Sequence, residues 1–147
     1  MPRRRSSCVR RLARNSIVNL SSSSAKYATT VEVAAYAASK TTILSITRSF
    51  AYALAARRVR INAILPGIVD TAMQEEVLAK VAPMRGLTAD EWRDARTSAV
   101  PLARGASADE CAGLIWFLLS DEAAYMTGQA INFTGGLVTW CWERKAR

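Results

Sequence analysis

Ala35-Tyr36-Ala37-Ala38-Ser39-Lys40, with four consecutive serines at Ser21 to Ser24 just upstream, is the stretch from which the chain is read. Tyr36 and Lys40 are four residues apart, so on a helix they stand one above the other on a single face. A phenol ordinarily keeps its proton to about pH 10. An ammonium held beside it favours the phenolate. Such a pair gives or takes a proton near neutrality, as carbonyl reduction and alcohol oxidation both require. A hydroxyl from the serine run would hold the same substrate oxygen. The spacing alone also fits an exposed helix face with a partly buried ring, so its context decides.

Upstream, Ser16-Ile17-Val18-Asn19-Leu20-Ser21 is short, apolar and β-branched and ends in small polar residues. That suits a buried parallel strand opening into a loop at its carboxyl end, where open α/β sheets place their chemistry. From Val33 or Ala34 to about Arg57 the spacing turns helical, with Ile43, Ile46, Phe50 and Leu54 as one stripe and no Gly or Pro inside. Its alanine-rich faces suit close packing against a strand layer or a second subunit. Arg60-Ile61-Asn62-Ala63-Ile64-Leu65 reads as a second buried strand stopped by Pro66-Gly67. Strand, helix and strand make a β-α-β unit with a right-handed crossover. Gly67 lets the backbone approach a ligand, or simply turns the chain.

Residues 70–106 are less regular. A helix is expected over Ala72 to Ala82, broken by Pro83. Thr88 is the N-cap of another through about Ser98, with Asp90 and Glu91 in its first turn. Long connections of this kind act as lids or substrate loops. Met73, Met84, Leu87 and Trp92 would line a pocket or simply pack. Ser107-Ala108-Asp109-Glu110 is a capping box that starts a helix through about Leu119. Ala130-Ile131-Asn132-Phe133 is a third short strand, followed by Thr134-Gly135-Gly136. Of Trp140 and Trp142 at the end, at least one is expected to pack.

Composition sets bounds. The 147 residues fit one domain, and half are hydrophobic. No apolar run approaches the roughly 18 residues of a membrane span. The net charge of +8 sits at the ends: residues 1–15 hold six arginines and no acid, whereas residues 16–142 carry 11 basic and 11 acidic side chains. A nucleic-acid binder would show a basic face within the fold. The start resembles a transit peptide in composition, or a nucleic-acid arm, or a disordered or misassigned segment belonging to no fold, which is the reading preferred. Cys8, Cys111 and Cys141 lack metal-ligand spacing, and there is no histidine. Histidine-based catalysis is excluded, a zinc site is not expected, and a reducing, cytoplasmic compartment is the plain reading.

Four motifs now stand in order: N-x-S-S (Asn19, Ser21, Ser22), Y-A-A-S-K (Tyr36 to Lys40), R-I-N-A-I-L-P-G-I-V-D-T (Arg60 to Thr71) and M-T-G-Q-A-I-N-x-x-G-G (Met126 to Gly136). Together, over roughly residues 16–139, they resemble the short-chain dehydrogenase/reductase family. The resemblance implies an α/β fold, the C-terminal half of a Rossmann-like doubly wound parallel sheet of about three strands with flanking helices. Residues 16–139 would be that partial domain, with 1–15 and 140–147 as start and tail.

The resemblance also implies roles. Tyr36 matches the general acid/base, and Lys40 the residue that tunes it and binds the nicotinamide ribose. The serine on the substrate oxygen is Ser22 by strand register and Ser23 by the family's usual spacing to the tyrosine. Ser22 is preferred because loops take insertions more easily than strands. Pro66, Gly67, Ile68 and Val69 match the turn facing the nicotinamide, and Thr71 a hydroxyl on the cofactor, NAD or NADP. The departure from the family is as specific. No glycine precedes Gly67, so the Gly-rich pyrophosphate loop is absent, with the residue choosing NAD or NADP and the helix bearing the family's asparagine. The Asn-Phe-Thr-Gly-Gly ending is similar to those of sugar-alcohol dehydrogenases.

Two functions are therefore weighed. One is an NAD(P)-dependent oxidoreductase acting on a small-molecule carbonyl or secondary alcohol, a sugar or polyol among them, inactive as this chain alone. The other is a non-catalytic fragment, or a partner that joins full-length relatives or a second copy through helix 34–57. The strand at 16–21 would expose the edge its missing neighbour should cover, which predicts poor solubility without a partner. Nucleic-acid binding is the least favoured class.

Overall fold

The computed structural model describes residues 15–27 and 30–139. Most of the basic start, and Trp140 and Trp142, lie outside them, so the expectations about both ends are not addressed. Among the described residues there are five strands: β1 (Ser16–Leu20), β2 (Arg60–Pro66), β3 (Val69–Asp70), β4 (Ala106–Ser107) and β5 (Ala130–Phe133). The main sheet has the order β1-β2-β5 and is parallel throughout. Leu20 stands opposite Ile64, and Ile64 opposite Ile131, so all three strands open at the same end.

The central strand is the apolar one because both its faces are covered. Ile61 to Leu65 are buried. Helix α1 (Ala34–Leu54) lies on one face, where the Asn19 amide donates to Thr47 Oγ1 at 2.9 Å. Helix α4 (Ala108–Leu119) lies on the other, where Leu118 packs with Ile64, Val18 and Ile131. One helix per face is the doubly wound arrangement expected. The buried Asn62 is satisfied, donating to Met126 O at 2.8 Å and accepting from Gln129 N–H at 3.1 Å. It fixes the lead-in to β5.

Boundaries differ from expectation in small, explicable ways. β2 runs through Pro66, opposite Phe133. The missing proline N–H costs nothing there, since the next donor, Gly67 N–H, binds Phe133 O at 2.9 Å. Helix α1 tightens into a 3-10 turn over Ala55–Arg57, and Arg58 at φ 56° closes it. Of α1, Ala37, Thr47 and Ala51 are buried, so the alanine-rich face meets the sheet. Ile46 and Phe50 of the sequence stripe remain about half exposed.

Helices α2 (Ala72–Val81) and α3 (Ala89–Thr97) follow β3. Thr88 and Glu91 form a full capping box at α3, as Ser107 and Glu110 do at α4. The two-residue ladder β3–β4 has no counterpart in the sequence reading. It ties the turn after β2 to the entrance of α4, with Ala106 N–H donating to Ile68 O at 3.0 Å.

Candidate active site

The carboxyl ends of β1 and β2 lie side by side and form a mouth. Ser21 N–H continues their ladder by donating to Ile64 O at 2.9 Å. Helix α1 begins at the same end and carries Tyr36 and Lys40 in its first two turns. Lys40 Nζ donates to the carbonyl of Leu20, the last residue of β1, at 3.2 Å. The same ammonium lies over the Tyr36 ring, 5.6 Å from its centroid. Tyr36 is 49% exposed, so a bound molecule can reach it. Tyr36 and Lys40 are thus brought together where the serine strand ends.

The serines divide their work. Ser21 is buried, and its hydroxyl donates to Lys40 O at 2.8 Å. Ser22 caps a 3-10 turn over Ser23–Ala25, its Oγ accepting from Ser24 N–H at 3.2 Å. Ser23 opens that turn, and its carbonyl accepts from the N–H groups of Lys26 and Tyr27. Ser22 and Ser23 thus lie in the turn just past the strand end, while Ser21 positions the helix. The sequence reading missed Ser21 as a positioning residue, although N-x-S-S contained the signal. It also missed Lys26, whose Nζ donates to Asn132 Oδ1 at 3.0 Å and Ala130 O at 3.3 Å and so ties this loop to β5.

Pro66 and Gly67 end β2 beside that loop. A Cβ on Gly67 would come within 3.2 Å of Thr134 Cα, so the glycine serves close packing against the segment after β5. Val69 belongs to β3, and Ile68 lines two cavities, one toward α2 and α3 and one toward residues 100–106 and the segment at the end of β5. Thr71 is the N-cap of α2, accepting from Gln74 N–H at 3.3 Å, and is exposed. The residues expected around a nicotinamide thus split into two groups: Tyr36, Lys40, Pro66 and Gly67 at the strand ends, and Ile68, Val69 and Thr71 along the turn leaving them.

Of the apolar residues considered as a pocket lining, Met73 and Met84 are exposed, while Trp92 packs under the Arg85 guanidinium at 4.4 Å. None of Met73, Met84, Leu87 and Trp92 lines the two cavities beside Ile68. Cys111 packs against the α4 core, and burial pushes its thiol up from the usual value. No helix among the described residues is long and apolar enough to cross a membrane.

A family model described as enoyl-(acyl carrier protein) reductase matches residues 6–138. The 3-oxoacyl-[acyl-carrier-protein] reductase FabG of Thermotoga maritima is 39% identical over 123 residues, which are 84% of this chain and 45% of that protein. Among solved structures, a short chain dehydrogenase family protein from Francisella tularensis superposes with a TM-score of 0.77 at 36% identity, over 83% of this chain and 50% of that one. Sorbitol-6-phosphate 2-dehydrogenase SrlD from Erwinia amylovora superposes with a TM-score of 0.79 at 31% identity, over 85% and 49% respectively. The chain spans about half the length of the curated relatives it matches. With the parallel sheet, the Tyr36–Lys40 pair and the serine strand in the same order as the motifs, the chain belongs to the short-chain dehydrogenase/reductase family.

Proposed function

We propose that this chain carries the substrate side of an NAD(P)-dependent oxidoreductase that interconverts a secondary alcohol and a carbonyl, on a sugar or polyol among the candidate substrates. The observation that carries the reading is the Lys40 ammonium held between the Tyr36 ring and the Leu20 carbonyl. One donor of Lys40 is used by Leu20, which leaves others for a ribose hydroxyl, so the residues present fit the nicotinamide end of the cofactor. When bound, the cofactor supplies the hydride donor or acceptor. The Tyr36 oxygen takes the alcohol proton in oxidation and returns it to the carbonyl oxygen in reduction. The Lys40 charge offsets negative charge on that oxygen. Ser22, or Ser23 one position on, holds the substrate oxygen. Pro66, Gly67, Ile68 and Val69 pack along the nicotinamide, and Thr71 offers a hydroxyl to it. The names of FabG and of sorbitol-6-phosphate 2-dehydrogenase support reduction of a keto group or oxidation of a polyol.

These 147 residues hold no glycine before Gly67. A Gly-rich turn at a helix N-terminus supplies much of the affinity for a dinucleotide. We therefore expect no turnover from these residues alone. The test is a hybrid in which residues 16–139 replace the matching half of SrlD. The hybrid should oxidise or reduce members of a polyol and ketone panel, read at 340 nm, and Tyr36→Phe should abolish it. A folded hybrid that binds NAD(P)H yet turns over nothing, or a fully active Tyr36→Phe hybrid, would sink the reading.

A second reading is association of this chain with a second copy or a full-length relative through helix 34–57. It is favoured by Ile46 at 47% and Phe50 at 53% exposure on the helix face turned from the sheet. Phe50→Glu should then shift the sedimentation coefficient to that of a smaller species.

A further inference from the structure

Lys26 closes the turn that carries the serines and reaches across the sheet from it. Its backbone N–H donates to Ser23 O at 3.0 Å and caps the 3-10 turn Ser23–Ala25. Ala25 N–H donates to Ser22 O at 3.0 Å, so the turn is bonded back to both serines. The Lys26 side chain runs the other way, to β5, where Nζ donates to Asn132 Oδ1 at 3.0 Å and to Ala130 O at 3.3 Å. The sheet order is β1-β2-β5. The loop after β1 is thus tied to a strand that is not its neighbour, and the tie skips β2. Holding an exposed lysine in this way costs rotamer freedom. Hydrogen bonds from an ionised donor, about twice as strong as neutral ones, offset that cost.

The far end of the tie is fixed. Asn132 stands opposite the fully buried Leu65. Its Nδ2 donates to Val138 O at 3.3 Å, and Thr134 Oγ1 donates to the same carbonyl at 3.2 Å. Thr134 is the residue against which Gly67 packs. The serine turn and the Pro66-Gly67 bend, on the two sides of the mouth, are therefore both referred to the segment from Asn132 to Val138. From its own side α1 holds the same turn through Thr41, whose hydroxyl donates to Ala25 O at 3.0 Å. Asn132 is also the asparagine of the Asn-Phe-Thr-Gly-Gly ending, and proton transfer between Tyr36 and a substrate has no use for it. We propose that Lys26 is a positioning residue for the reaction and Asn132 its seat: the latch fixes where Ser22 and Ser23 stand at the strand ends, so that one of them meets the substrate oxygen. That a substrate oxygen is met there rests on the oxidoreductase reading; that the latch orders the turn does not.

Hydrogen exchange on the 147-residue chain reads the latch. Lys26→Met keeps an unbranched side chain and removes the donors. It should speed exchange of the Ala25, Lys26 and Tyr27 amides at least about tenfold, since bonds from a charged donor are lost. Asn132→Leu should act in the same direction, and combining the two should bring little more than Lys26→Met alone. Lys26→Arg should stay close to the wild type, as should Lys80→Met, a control at an exposed lysine of α2. Protection in α4 should be alike in all of them, which separates a loosened turn from a loosened fold. Wild-type exchange at residues 25–27 in Lys26→Met, or an equal loss of protection in α4, would overturn the latch. In the SrlD hybrid, Lys26→Met should lower kcat at least about tenfold with the KM for the cofactor unchanged, because a misplaced hydroxyl slows the reacting step and not cofactor binding. Lys26→Arg should recover most of it. An active hybrid indifferent to Lys26→Met would sink the positioning role alone. An inactive parent hybrid with the exchange pattern as expected would sink the oxidoreductase reading and leave the latch in place.

Discussion

The buried Ser21 hydroxyl donates to the Lys40 carbonyl at 2.8 Å, so the end of β1 holds the second turn of α1 directly. Removing it leaves a carbonyl underused and a small void at the point from which Lys40 reaches Leu20. Ser21→Ala should lower unfolding stability by about 1–2 kcal/mol. Urea denaturation checks it against Ser24→Ala, which should change the midpoint little.

Two glycines should respond in opposite directions. Gly67 has Thr134 Cα at 3.2 Å from where a Cβ would stand, and the neighbour is backbone. Gly67→Ala should destabilise by about 1–2 kcal/mol through forced separation of β2 and the segment after β5. Gly113, inside α4, has nothing near the added atom. Gly113→Ala should stabilise by about 0.5–1 kcal/mol, because alanine loses less backbone freedom on forming helix. Changes of the same sign at both positions would contradict this packing.

Acid should loosen the start of α4. The Arg104 guanidinium, and then the Ser107 N–H, hold the Glu110 carboxyl down from 4.5 to about 2. The folded value is the lower one, so the stabilisation is complete above the unfolded value. It is lost as pH falls from about 4.5 through about 2. Thermal midpoints across that window should fall less steeply for Glu110→Gln than for the wild type. They should not become flat, since the Thr88 N–H also lowers Glu91. An unchanged slope would show that the capping pair does not contribute.

β1 is an edge of the main sheet, with Ile17 at 44% and Leu20 at 53% exposure. Such an edge invites pairing between copies. Ile17→Lys should reduce concentration-dependent association in sedimentation velocity without shifting the far-ultraviolet spectrum. Association equal to that of the wild type would place the self-contact elsewhere, with α1 the next face to test.

Much of this was legible because local signals were redundant. β2 is a continuous apolar run closed by Pro-Gly, and the cap at Ser107 is a complete S-x-x-E. Thr88 could be read for the same reason. The β3–β4 ladder could not: two residues carry no alternation, and only the tertiary approach of Val69 to Ala106 makes them strands. The serine run hid its own division of labour, since four identical side chains leave register to the strand pairing. Ile43, Ile46, Phe50 and Leu54 form a stripe on paper, yet alanines face the sheet, because close approach rewards small residues.

The Asn19–Thr47 contact reaches further than its 2.9 Å implies. Thr47 also donates to Ile43 O at 2.7 Å, so its hydroxyl pins the azimuth of α1 on the sheet. Each residue advances a helix by about 100°. Deleting one residue between Lys40 and Thr47 would leave every reactive group in the chain and still swing the phenol and amine a quarter-turn out of phase with the strand ends. The placement of Tyr36 and Lys40 is kept by an indexing pin two turns downstream of Lys40.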